Sequence, residues 1–249
     1  MISPAINSDK QYWAIIPAAG VGKRMGSKVP KQYLPLAGKT VLEQTLSVFL
    51  QHPKISGIVV AITQGDPYWQ ELQSELENHK PILQAPGGSE RCHSVLNALT
   101  YLSKQKKIDI TEQDWVLVHD AARPCINSND IDRLMTQLSE TASGGLLGLP
   151  MSDTVKRCNA EQQVLETVER NDLWRALTPQ MFPLGLLKNA LEQAIENNEL
   201  VTDEASAIEF LGLKPKMVEG SANNIKITHP GDLQLAEMFL SAQHEVISI

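Results

Sequence analysis

The chain is 249 residues long, 42% hydrophobic, 20% charged and only 5% aromatic, an ordinary globular balance that excludes disordered and collagen-like classes. Its longest apolar stretches, residues 57–62 and 144–150, fall far short of the roughly 20 residues of a membrane helix, and the N-terminus shows no basic start before an apolar block, so a cytosolic location with no membrane partner is expected. A net charge of −7 argues against a nucleic-acid partner, yet Lys23, Arg24, Lys28, Lys31 and Lys39 follow one another between Gln11 and Glu43 with no acid among them, which suits a small polyanionic ligand.

Short β-rich runs alternate with helical patterns along the chain. That pattern predicts an α/β fold: βαβ units around a mostly parallel twisted sheet flanked by helices, in one domain spanning residues 1–249. Strands are predicted at 13–17, 57–63, 81–85, 115–119, 145–150 and 216–219. Between the first two, Val41, Leu42, Thr45, Leu46 and Phe49 fall on one helical face and Pro53 closes the helix. Further apolar stripes follow at Val95, Leu96, Leu99 and Leu102, then at Ile131, Leu134 and Leu138. Two more mark helices through Leu187, Ala190, Leu191, Ala194 and Ile195, and through Leu235, Ala236, Phe239 and Leu240. Residues 153–167, DTVKRCNAEQQVLET, break the alternation. Two β-prone arms around a polar tip at Asn159 and Ala160 predict a hairpin too poor in apolar residues to fold alone, so it docks on the body or reaches a partner. Cys92, Cys125 and Cys158 are odd in number and widely spaced, and reduced thiols are expected.

Chemistry concentrates first at the end of the first strand, in PAAGVGKRMG. Small residues at Ala18, Ala19, Gly20 and Gly22 allow the backbone to approach a ligand closely, and bases follow at once. The glycines do not make a Rossmann fingerprint, and no Gly-Lys-Ser/Thr closes a Walker A loop. Asp120 ends the strand WVLVHD, the place where open α/β sheets hold ligands. A carboxylate there either orients hydroxyls or metal-bound water, or caps the next helix. Arg123 has the planar fork suited to a phosphate or polyol, and His119 reads as structural. Lys226, taken without its neighbours, reads as a strand-edge lysine facing solvent.

The run AAGxGxRM followed by PKQxLPLAGKxxLE resembles the nucleotidyltransferase-like α/β family that activates sugars and polyols as nucleotide diphosphates. The segments HDAARP (119–124), DTVK (153–156), ERNDLWRALTPQ (169–180), TDEASA (202–207) and NNIKIT (223–228) narrow the resemblance to the 2-C-methyl-D-erythritol 4-phosphate cytidylyltransferase family, in matching order over residues 12–240. The resemblance implies CTP and the polyol phosphate as partners, a divalent cation such as Mg2+ as cofactor, and a homodimer whose arms cross between subunits. By the same resemblance, Arg24, Lys31 and Lys226 are catalytic. Pro17, Ala18, Ala19, Gly20, Gly22, Gly87, Ser89, Ser94 and Asp120 bind the nucleotide, and Asp120, Arg123, Thr154, Arg170, Thr178 and Thr202 bind the acceptor. No residue is implied as a direct metal ligand: the ion rides mainly on the triphosphate, with Asp120 a candidate contact through water. The family commonly has Asp where this chain has Ser89 and Asn223. Asp203 and Glu204 are expected to cap the helix they begin. Two rival readings are a ribitol 5-phosphate cytidylyltransferase and a catalytically silent nucleotide-binding subunit. The joint presence of Arg24, Lys31 and Lys226 counts against the second, because a binder has no use for transition-state cations.

Overall fold

The computed structural model describes residues 10–20, 26, 29–76 and 80–247. β1 (Tyr12–Pro17) and β4 (Ile55–Ile62) pair in parallel as interior strands of a seven-stranded sheet. Both are near-continuous apolar runs, as strands covered on both faces must be. β5 (Ile82–Pro86) closes one side, and β6 (Trp115–Val118), β10 (Trp174–Pro183), β7 (Gly145–Pro150) and β11 (Lys216–Glu219) extend the other, giving the order β11-β7-β10-β6-β1-β4-β5. A two-strand ribbon, β2 (Pro35–Leu36) with β3 (Lys39–Thr40), leads into α1 (Val41–Gln51). Thr40 and Glu43 form a capping box that starts α1, satisfying amide groups the first turn would otherwise leave unpaired.

Alternate residues of β1 point to opposite faces and seed two cores. Ala14 and Ile16 pack with Leu42, Leu46 and Phe49 of α1, with Trp69 and Leu72 of α2 (Pro67–Glu75), and with Ile131 and Leu134 of α4 (Ser128–Leu138). Trp13 and Ile15 face α3 (Arg91–Ser103), α5 (Leu184–Glu196) and α6 (Glu204–Phe210) through Val95, Leu99, Leu187 and Ile208. α7 (Gly231–Ile247) packs separately, its Ala236 and Leu240 meeting Leu36, Val41, Cys125 and Ile227. No helix among the described residues is long and apolar enough to cross a membrane.

The mostly parallel sheet with flanking helices is as predicted, but β10 and α2 are not among the predicted elements. β10 runs antiparallel to both β6 and β7, and its pairing with β7 slips between Ala176 and Gln180. Pro179 inside the run and that irregular register hide the period-two pattern by which a strand is recognised. The hairpin is present: β8 (Val155–Cys158) pairs with β9 (Val164–Val168), its second arm reaching one residue past the expected end. Neither strand joins the main sheet, and Val164 and Leu165 are 60% and 62% exposed.

Candidate active site

The sheet order creates the site. From β1 the chain proceeds outward to β4 and β5, then returns to β6 on the other side, so the carboxyl ends of β1 and β6 border a crevice at the switch point. The loop after β1 and residue Asp120 after β6 face each other across it, and Pro17, Ala18, Ala19, Gly20, Asp120 and Lys226 all line one cleft.

Gln32 holds the first loop. It follows Lys31 in a single 3-10 turn, is 4% exposed, and donates its side-chain amide to the carbonyls of Ala18 (2.8 Å) and Gly20 (3.0 Å). The Thr63 hydroxyl donates to the carbonyl of Ala19 at 3.2 Å. Gly22 and Arg24 lie outside the described residues.

The second loop follows β5. The Gly87 amide donates to the carbonyl of Ile62 at 2.8 Å, and a Cβ on Gly87 would stand 2.4 Å from the Cβ of Ala19. The two small-residue loops therefore touch through the missing side chain. The Gly88 amide donates to Ser94 Oγ at 2.9 Å, tying the loop to the first turn of α3, and Ser89 Oγ lies 3.1 Å from His93 Nδ1. Gly88, Ser89 and Ser94 line the cleft, whereas Gly87 supports it from behind.

Asp120 is the electrostatic centre. Its Oδ1 accepts from Arg91 Nε at 3.0 Å, while Oδ2 accepts from Arg123 Nε at 3.2 Å and Lys226 Nζ at 2.9 Å. Burial alone would raise this carboxyl, but Arg91, Lys226 and Arg123 overcome that effect and hold it well below the usual carboxylate range. Asp120 therefore stays ionised at any physiological pH. The helix-cap alternative fails, because the next helix, α4, is capped by Asn127, whose side chain accepts from the amide of Asp130 at 2.8 Å. The solvent-facing alternative for Lys226 fails too, since its ammonium turns onto Asp120 from a loop that belongs to no strand.

Lys31 Nζ donates to the carbonyl of Ile227 at 2.9 Å. Lys31 thus reaches the NNIKIT segment that carries Lys226, and both lysines line the cleft. Arg123 is 8% exposed and donates Nη1 to the carbonyl of Asn224 at 2.8 Å, so its guanidinium lies beneath Asp120 and anchors the same segment. Asn224, in turn, donates its side-chain amide to the carbonyl of Thr178 at 2.7 Å. Thr178 sits in the β10 register slip, and its hydroxyl oxygen accepts from the Asp120 amide at 3.1 Å.

The remaining acceptor candidates lie apart. Thr202 is exposed and donates its amide to Ser206 Oγ at 3.1 Å, beside the α6 N-terminus. Asp203 caps α6 as expected, accepting from the Ser206 amide at 3.0 Å. Glu204 has a further role: it is 1% exposed and receives Arg91 through both carboxylate oxygens, at 2.5 and 3.0 Å. Thr154 and Arg170 stand at the two roots of the hairpin, where they border a shallow recess with Thr167, Val168 and Glu169. Neither lines the cleft around Asp120 within the same chain.

Gln32, Arg91 and Asn224 hold the site together without having been assigned roles from sequence, and Glu204, expected as a helix cap, leaves the capping to Asp203 and turns its carboxylate onto Arg91 instead. Gln32 lies inside the PKQ motif, but its partners are 14 and 12 residues away along the chain and those of Arg91 are 29 and 113 away, so local spacing carries no sign of them.

A protein-family model for 2-C-methyl-D-erythritol 4-phosphate cytidylyltransferase matches residues 12–242. A protein of that name from Vibrio parahaemolyticus is 52% identical over 230 residues, covering 92% of this chain and 95% of its own length. One from Pseudomonas putida strain GB-1 is 50% identical over 229 residues, with 92% and 95% covered. Among solved structures, a 4-diphosphocytidyl-2C-methyl-D-erythritol synthase superposes with a TM-score of 0.80 at 37% identity, covering 93% of this chain and 98% of the other. The Francisella tularensis 2-C-methyl-D-erythritol 4-phosphate cytidylyltransferase superposes with a TM-score of 0.78 at 39% identity, covering 92% and 99%.

Proposed function

This chain belongs to the 2-C-methyl-D-erythritol 4-phosphate cytidylyltransferase family, and from that premise we propose how its residues carry the family's reaction. The enzyme transfers CMP from CTP to 2-C-methyl-D-erythritol 4-phosphate, giving 4-diphosphocytidyl-2-C-methyl-D-erythritol and pyrophosphate for isoprenoid biosynthesis. The observation that carries the division of labour is that Lys31 and Lys226 line the same cleft, Lys31 bonded to the Ile227 carbonyl beside Lys226 and the Lys226 ammonium held 2.9 Å from Asp120.

The loops at Pro17–Gly20 and Gly87–Ser89, with Ser94, take the nucleotide. Their small residues and their contact at Gly87 and Ala19 are the basis for expecting a slot narrow enough to favour a pyrimidine over a purine. The acceptor phosphate is already ionised at neutral pH, so no general base is needed. One of its oxygens attacks the α-phosphorus of CTP, the bond to the bridging oxygen breaks, and pyrophosphate leaves with the electron pair. Charge grows on the phosphoryl oxygens during this step, and fixed cations stabilise it more in the transition state than in the ground state. Lys31, Lys226 and, by family resemblance, Arg24 supply those cations. Asp120 keeps Lys226 in register and forms the acceptor side of the cleft, and Thr202, which does not line it, is assigned to that side by family resemblance alone. Arg123 and Thr178 serve that side from beneath, Arg123 through the Asp120 carboxylate and Thr178 through the Asp120 backbone amide.

A divalent cation is implied by the family. Both oxygens of Asp120 are occupied by guanidinium and ammonium groups, and Glu90 is the one other carboxylate among the described residues lining the cleft. That donor set suits an ion carried on the triphosphate and poorly suits one held by the protein. When bound, such an ion neutralises phosphate charge and assists departure of pyrophosphate.

The exposed hairpin, with Val164 and Leu165 uncovered, supports a two-fold dimer in which each arm reaches the other body. Thr154 and Arg170 at its roots then serve the partner's acceptor pocket. Three free cysteines, two of them buried, fit a cytoplasmic setting.

Pyrophosphate release measured with CTP or ATP, crossed with methylerythritol phosphate or ribitol 5-phosphate, tests the reading. CTP with methylerythritol phosphate is expected to dominate. Equal turnover of ATP would remove the narrow-slot argument, and faster turnover of ribitol 5-phosphate would reassign the acceptor side.

A further inference from the structure

Arg91 is the first residue of α3 and ties that helix both to Asp120 at the end of β6 and to Glu204 at the start of α6. Its Nε donates to Asp120 Oδ1 at 3.0 Å, and its Nη1 and Nη2 grip the two oxygens of Glu204 at 2.5 and 3.0 Å. Three of its five N–H donors are thus spent on carboxylates, which fixes the guanidinium between Asp120 and Glu204 at the border of the cleft. Glu204 is held in place in turn. Gln180 of β10 donates to Asp203 Oδ2 at 2.9 Å and accepts from the Ala205 amide at 2.8 Å, pinning the first turn of α6 on both sides of Glu204.

The geometry points to Arg91 as a positioning residue that, braced by Glu204, turns Asp120 so that its other oxygen holds the Lys226 ammonium at the reacting phosphate. A carboxylate is planar. Once Oδ1 is pinned by Arg91, the rotation of Asp120 is set and Oδ2 faces Lys226 and Arg123. Lysine at position 91 keeps the charge but lacks the fork: one ammonium cannot bridge Asp120 while meeting both oxygens of Glu204. Burial is what gives the arrangement leverage, because Glu204 is 1% exposed and leaves no solvent to substitute for a lost partner. The inference rests on the proposed action of Lys226 at the α-phosphate and adds a residue that acts only through it.

A double-mutant cycle tests this. Arg91→Lys, Lys226→Ala and the combination are compared for kcat, the KM for CTP and the thermal midpoint. If the relay holds, Arg91→Lys lowers kcat by about 10- to 100-fold, the range expected when a catalytic group is misplaced by around an ångström. In the Lys226→Ala background the same substitution then costs less than about threefold, because the group it positions is gone. Glu204→Gln, which retains Arg91 and removes one arm of its brace, repeats the cycle should Arg91→Lys fold poorly. It is expected to show the same dependence on Lys226. Equal fold-losses from Arg91→Lys in both backgrounds, or a fall in thermal midpoint with kcat intact, would overturn the relay while leaving Lys226 in its role. Full kcat in Lys226→Ala alone would instead overturn the role of Lys226, and the relay with it.

Discussion

His119 Nε2 lies 3.0 Å from the carbonyl oxygen of Arg123, and because a carbonyl can only accept, that nitrogen carries the proton. His119 Nδ1 is then the acceptor for the Thr178 hydroxyl at 2.9 Å, whose oxygen receives the Asp120 amide. A neutral imidazole completes the chain under the site with every group satisfied. Burial pushes its pKa down to about 4, against the hydrogen bonds and the nearby Asp120 carboxylate that favour the charged form.

A pH dependence of stability follows. A histidine depressed from 6.5 to about 4 on folding contributes fully above pH 6.5, and the unfolded chain takes up the proton first as pH falls. By pH 4 this group alone is expected to remove roughly 3 kcal/mol. Denaturant unfolding of the wild type and of His119→Asn at pH 7, 5.5 and 4 checks it. The gap between the two proteins should close by about that amount as pH falls, and a constant gap would mean that His119 is not held neutral.

The contact between Gly87 and Ala19 gives a steric test. An added methyl at 87 would lie 2.4 Å from Ala19 Cβ and 3.3 Å from the backbone of Ile62, so Gly87→Ala must force the two loops apart. A stability loss of about 1–3 kcal/mol is expected, typical of overpacking, together with a KM for CTP raised by about tenfold. Binding and melting measurements on this variant decide the matter, and unchanged values in both would show that the loops are not rigidly apposed.

The composite site predicts complementation between subunits. Lys31→Ala and Arg170→Ala are each expected to be nearly inactive. Mixed under conditions of subunit exchange, they should regain about a quarter of wild-type activity, since half the dimers are mixed and each has one intact site. No recovery despite demonstrated exchange would place Arg170 at its own subunit's site.

Much of this was legible in the sequence because the motifs lie at strand ends. Small residues after β1 and Asp120 after β6 flank the crevice where a mainly parallel sheet places its ligand. The hairpin was legible because β-prone residues, Val155 and Val164–Leu165, flank a polar tip. β10 was not, because Pro179 and a slipped register conceal the strand that carries Thr178 and Gln180. Nor were Arg91 and Glu204, which meet across 113 residues of chain. Glu204 at the start of a helix reads locally as a cap, and only the folded chain shows its carboxylate buried against a guanidinium. Arg123 reads as a phosphate fork, yet the fold turns its nitrogens onto Asp120 and the Asn224 carbonyl. Side-chain type conveys chemistry from sequence alone, whereas direction depends on tertiary neighbours.

The central claim is that Lys31, held by the Ile227 carbonyl, and Lys226, held by the Asp120 carboxylate, act on charge that develops at the α-phosphorus. Steady-state kinetics of Lys31→Ala with CTP and methylerythritol phosphate test it most directly. Loss of one such cation is expected to lower kcat by about 10² to 10³ while the KM for CTP changes far less. An unchanged kcat with a raised KM for CTP would contradict the claim, because Lys31 would then serve only to bind the ground-state triphosphate.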